Sequence, residues 1–215
     1  MKDLPILTAQ QLGEKVPRRG GTWIAKLAQN FLNRSGWKIV GDIPNIPKAV
    51  ILAAPHTSNI DGVYAIPTLL ALDADIKLMG KKQLFQVPVL AQFLKWAGVI
   101  AIDREKKGST LQASIDRFKH EDKLFLGLAA EGTRKYTKAW KTGFYYIALG
   151  ANVPILPVAM DYARKEVQFL APFYPTGDID QDLAELYQRY AGVMPKHPQN
   201  LSQPLQDVNQ HYFAK

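Results

Sequence analysis

The sequence contains no cysteine and only four histidines in 215 residues. The first absence excludes a disulfide framework and any thiolate metal centre, and the scarcity of the second argues against a zinc site. No window reaches the roughly 18 uncharged apolar residues of a membrane span. The N-terminal stretch MKDLPILTAQQLGEKVPRRGG lacks the continuous apolar segment of a secretory signal, so the expected location is the cytoplasm. Internal repeats and low-complexity tracts are missing too, which sets solenoid and fibrous architectures aside.

What is present is enough apolar residue for one core. At 47% hydrophobic content, the chain is expected to form a single domain over residues 1–215. The net charge of +8 points to anionic partners, and the positive residues concentrate mid-chain. From Lys77 to Lys107 seven basic residues meet only Asp103 and Glu105, and from Gly132 to Met160 Arg134, Lys135, Lys138 and Lys141 meet no acid. No basic helix or interleaved stacking aromatics of a recognisable nucleic-acid module accompany this charge, so nucleic acid is not an expected partner.

Short apolar runs alternate with segments of helical periodicity. TWIAKLAQNFLNRS (22–35) spaces Trp23, Ile24, Leu27, Phe31 and Leu32 as an amphipathic helix ending at Gly36. Strands are expected at WKIV, AVILAA, IKLMG, VIAID, KLFLGLA, PILPVAM and EVQFLAPF, the last near a sheet edge. Helices fall between them, up to Leu72, at Val89 to Trp96, at Ser109 to His120 and at TGFYYIALG. This alternation predicts an α/β fold, a largely parallel mixed sheet flanked by helices. Residues 1–48 form the lead-in and amphipathic helix, 49–170 the core, and 171–215 a C-terminal helix followed by a loose, proline-rich tail.

In such sheets, ligands gather beyond the carboxyl ends of the strands. PHTSNID, IDREKKG, AAEGTRK and the residues after GKKQL all fall at or just past predicted strand ends. In the first, His56 is of the right type to remove a proton from a hydroxyl near neutral pH. Asp61, in the first turn of a helix capped by Ser58 or Asn59, could hold its other nitrogen. No serine occupies a nucleophile elbow, so the hydroxyl would be the substrate's own. A His-x4-Asp pair also arises by chance, and His56 could equally be a structural histidine. In AAEGTRK, Gly132 permits close backbone approach, and Arg134 offers planar donors suited to phosphate; an ordinary turn with an exposed arginine is the plainer alternative. Asp103 and Arg104 read most simply as a surface ion pair.

Taken together and in this order, the segments resemble the glycerolipid acyltransferases, the family that includes lysophosphatidic acid acyltransferases. The resemblance runs from Val50 to Met160 and rests on HTSNID, on the block GKKQLFQVPVLAQFLKWAGVIAIDR, on AAEGTRK with KTGFYYIA, and on VPILPV. It implies acyl transfer from acyl-CoA or acyl carrier protein to a lipid-precursor hydroxyl, with no metal or other cofactor. His56 would be the general base and Asp61 its orienting group. Glu131, Gly132, Thr133 and Arg134 match the acceptor-binding motif, Arg104 and Lys81 fall where phosphate is also met, and Pro157 has a structural place. The usual Phe-Pro before Glu-Gly-Thr-Arg is Ala129-Ala130 here, and Lys135 stands where serine is common, which leaves the acceptor open.

A lipid substrate also implies peripheral contact with the inner face of a membrane. Trp23, Phe31 and Trp37, with Arg18 and Arg19, are the expected docking residues, against the alternative that this helix simply packs on the sheet. Two other functions remain open on the sequence: a thioester hydrolase, or an acyltransferase for another lysolipid or small acceptor; and a non-catalytic protein that binds phospholipid or another acidic ligand.

Overall fold

The computed structural model describes residues 3–81, 85–102 and 107–213. Its seven-stranded sheet comprises β1 (Lys38–Gly41), β2 (Lys48–Ala53), β3 (Ile76–Lys81), β4 (Val99–Ile102), β5 (Leu124–Ala129), β6 (Ile155–Asp161) and β7 (Glu166–Phe169), in the order β1-β7-β6-β2-β5-β3-β4. All neighbours pair in parallel except β6 and β7. The mixed, largely parallel α/β sheet is therefore as the sequence indicated. β7 lies one strand in from the edge, and β1 covers its outer side.

Among the described residues, seven α-helices accompany the sheet: α1 (Thr22–Ser35), α2 (Asp61–Ala71), α3 (Pro88–Trp96), α4 (Lys107–His120), α5 (Gly143–Ala151), α6 (Ile179–Gln188) and α7 (Gln203–Phe213). α1 stops at Gly36, whose left-handed backbone (φ 76°) lets its N–H reach the carbonyls of Asn33 and Leu32. Pro88 opens α3 at a position where a missing N–H costs nothing.

Central β2 reads as an unbroken apolar run because both of its faces are covered. Val50 and Leu52 pack with Phe144, Tyr145, Leu186, Tyr190 and Leu205, contributed by α5, α6 and the C-terminal region. Ala49 and Ile51 point the other way, into a cluster with Leu32 of α1, Ala71 of α2 and Trp37.

The tail expected to be loose is instead folded. Leu201 and Leu205 are fully buried, Trp140 Nε1 donates to Ser202 Oγ (3.0 Å), and Gln203 N donates to Thr137 O (2.9 Å). Pro204 does not break α7 because it sits in the first turn, where its missing N–H has no intrahelical partner to lose.

Candidate active site

β6, β2 and β5 are adjacent and parallel, so their carboxyl ends open on one side of the sheet. Each end carries a site residue: His56 follows β2, Glu131 follows β5, and Tyr162 follows β6. The Ala54–Pro55 peptide bond leading from β2 into the His56 loop is cis.

Asp61 starts α2 and folds back onto that loop. Its Oδ2 accepts from His56 Nδ1 (2.8 Å) and from the backbone N–H groups of Thr57 and Ser58 (both 3.0 Å), while Oδ1 accepts from Tyr162 OH (2.7 Å). Burial by itself pushes the Asp61 carboxyl up. The hydrogen bonds from His56, Tyr162 and Ser58 outweigh it and hold the group below its ordinary value. An ionised carboxylate only accepts, so the proton of the His56–Asp61 contact lies on Nδ1. Nε2 then carries the lone pair, and no described residue hydrogen-bonds to it. The His56 side chain is 29% exposed and that of Asp61 5%, an arrangement in which the buried partner orients the accessible one. The residue preceding α2 is Ile60 rather than Ser58 or Asn59; Ser58 contributes by accepting from Ile60 N (3.1 Å).

Glu131 is 2% exposed. Its Oε1 accepts a long bond from His56 N (3.4 Å), while Oε2 is buried with no hydrogen-bond partner among the described residues. Burial raises this carboxyl to about 7, against the lowering effect of its few hydrogen bonds. Gly132 turns the chain with φ 64°, a left-handed conformation that disfavours side chains. Thr133 Oγ1 accepts from Lys135 N (3.3 Å). Arg134 is exposed and makes no ion pair or hydrogen bond with any described residue. Ala130 is fully buried in the cluster holding Trp140 and Tyr190.

The structure therefore brings His56, Asp61 and Glu131 together. Lys81 ends β3 two strands from β2, about 10 Å away at ordinary strand spacing. Arg104 and Asp103 lie outside the described residues. Pro157 sits opposite Leu52 inside β6.

Other residues at the site gave no sequence motif. Tyr162 could have been flagged only by its place just past a strand end. His197 N donates to Thr57 Oγ1 (3.2 Å) and Asn200 Nδ2 to Thr57 O (3.5 Å), so the C-terminal region clasps the His56 loop.

The expected docking set is corrected in two respects. Trp37 is 3% exposed and stacks on Tyr64 at 4.2 Å, so it is core. Arg18 donates to the carbonyls of Ala9, Leu12 and Leu72, and Arg19 to those of Trp96 and Ala97 at the end of α3, so both arginines pin the lead-in to the domain.

A helix-flanked α/β sheet with a histidine–carboxylate pair past its central strand and a Glu-Gly-Thr-Arg turn past the next defines a particular class. A family model described as Acyltransferase matches residues 39–161, and the chain belongs to that family. It is 28% identical over 153 residues to the 1-acyl-sn-glycerol-3-phosphate acyltransferase of Salmonella typhimurium, covering 68% of this chain and 60% of that one. To an uncharacterized acyltransferase of Schizosaccharomyces pombe it is 30% identical over 120 residues, 53% of this chain and 42% of the relative. The chain thus spans less than two thirds of the length of either relative. The crystal structure of the 1-acyl-sn-glycerophosphate (LPA) acyltransferase PlsC from Thermotoga maritima shares the fold at TM-score 0.55 and 19% identity, over 77% of this chain and 73% of that one.

Proposed function

We propose that the protein transfers a fatty acyl group from a thioester, acyl-CoA or acyl carrier protein, to a hydroxyl of a lysophospholipid such as 1-acylglycerol 3-phosphate. The observation that carries this is the half-accessible His56 ring, whose Nε2 has no hydrogen-bond partner among the described residues, backed by a buried carboxylate at 2.8 Å from Nδ1. The activity for which the Salmonella relative is named supports the choice of acceptor.

Nε2 takes the proton of the acceptor hydroxyl as its oxygen attacks the thioester carbonyl. The tetrahedral intermediate collapses, the C–S bond breaks, and the thiolate leaves with the proton from the imidazolium, so the histidine ends as it began. Asp61 holds the ring in the Nδ1–H tautomer and stabilises the imidazolium while it exists. Arg134, exposed and unpaired among the described residues, meets the acceptor phosphate, with Lys81 and Arg104 as further phosphate contacts; Glu131, Gly132 and Thr133 shape the acceptor site. The two substrates supply all the atoms, so the step balances without a metal or cofactor.

The test is release of free thiol from long-chain acyl-CoA by the purified protein, with and without lysophosphatidic acid. Acceptor-dependent release is expected. Release at the same rate without acceptor would make the protein a hydrolase.

The acceptor lies in a bilayer, and α1 offers a way to reach it from the cytoplasmic face. Trp23, Leu27 and Phe31 form an exposed stripe at helical spacing, 66%, 59% and 41% accessible. Lys26, Arg34 and Lys38 are exposed beside it, and no acidic residue occurs from Lys15 to Gly41. Among the described residues no helix is long and apolar enough to cross a membrane, so the contact proposed is peripheral. A Trp23→Ala, Phe31→Ala variant is expected to sediment with anionic vesicles several-fold less than wild type, and equal sedimentation would reject this docking face.

A further inference from the structure

We infer that Tyr162 is a positioning residue of the acyl-transfer site, a hydroxyl that fixes the plane of the Asp61 carboxylate and so the aim of the His56 ring. This rests on the function proposed above. Tyr162 lies outside the segments that carried the family resemblance, just past β6, and reaches Asp61 from another part of the chain.

The geometry assigns the two carboxylate oxygens different tasks. Oδ2 faces His56 and two backbone N–H groups, and three donors on one oxygen still allow the carboxylate to pivot about it. Tyr162 OH, at 2.7 Å, is the one described donor on Oδ1 and stops that pivot. The tyrosine is itself locked. Trp37 meets its ring edge-on at 5.0 Å, Tyr64 lies 6.3 Å away, and the Lys196 ammonium stands 5.6 Å from its centroid. Its backbone N–H donates to Met194 O (2.8 Å). Burial and the adjacent Asp61 charge raise the phenol far above its ordinary value, so it stays a donor throughout the working range. It touches no reacting atom, and its effect passes through Asp61.

Without the hydroxyl the carboxylate pivots, faces the ring less steadily, and stabilises the protonated ring less. Tyr162→Phe keeps the ring packing. It is expected to lower kcat about tenfold with KM for donor and acceptor changed less than twofold. The acid limb of the kcat/KM profile moves to lower pH. In a His56→Ala background the same change should cost nothing further, because there is no ring left to aim.

The second readout does not depend on activity. In 15N-histidine spectra, the His56 ring should show the Nδ1–H tautomer in the wild type and a mixture in Tyr162→Phe. Far-UV circular dichroism and thermal unfolding confirm that the compared samples are folded. Wild-type kcat with an unchanged tautomer and pH profile would overturn the inference. So would a fall in kcat without movement of either, since that marks a merely structural residue. If the wild type transfers no acyl group, the proposed function fails, while the spectra still report whether Tyr162 controls the ring.

Discussion

Replacing His56 by alanine is expected to lower acceptor-dependent acyl transfer by about 10²- to 10⁴-fold, the usual contribution of a positioned general base. The loss falls on kcat, because the imidazole acts on the proton in flight and adds little to ground-state binding. Asp61→Asn gives a finer test. All three partners of Oδ2 are donors, so the amide oxygen has to take that place and the amide nitrogen has to face Tyr162. The Tyr162 hydroxyl can turn and accept, so the loop and the ring tautomer survive while the charge is lost. The expected cost is therefore about 10²-fold, short of the roughly 10⁴-fold that follows when such a substitution forces the wrong tautomer. Rates of thiol release for the two variants and the wild type check both figures. A His56→Ala protein that retains more than a tenth of wild-type turnover would remove the imidazole from the mechanism.

That His56 and Asp61 could be paired from the sequence follows from their nearness along the chain. The loop between them is short, and a strand end followed by a helix start leaves it little freedom. Tyr162, His197 and Asn200 reach the same loop from far along the chain, and nothing local records a contact made by folding. The strands were legible because a sheet covered on both faces turns each strand into an apolar run, as at Val50, Ile51 and Leu52. The C-terminal region was misread for a different reason. Leu201, Leu205 and Val208 carry helical spacing, but Pro195, Pro198 and Pro204 among them suggested a loose chain. Pro204 falls in the first turn of α7, where proline is harmless, and the buried Leu205 anchors the helix. Trp37 shows the converse limit. An aromatic residue beside an amphipathic helix fits a membrane or a core equally well in one dimension, and only its stacking on Tyr64 decides.

Glu131→Gln should make the protein more stable than the wild type at neutral pH. The carboxyl sits near 7 in the fold against about 4.5 when free, because burial penalises its charge and Oε2 has no partner among the described residues. Between those values the folded protein binds more protons than the unfolded chain, so stability falls as pH rises through the interval. Above pH 7 the charged group costs about 3 kcal/mol. Asp61 acts in the opposite sense, but its held-down carboxyl exerts that effect at lower pH, outside the interval. Urea unfolding of wild type and Glu131→Gln should therefore give similar midpoints at pH 4.5 and diverge toward pH 8, where the variant is the more stable. Midpoints that stay together from pH 4.5 to 8 would show that Glu131 titrates normally.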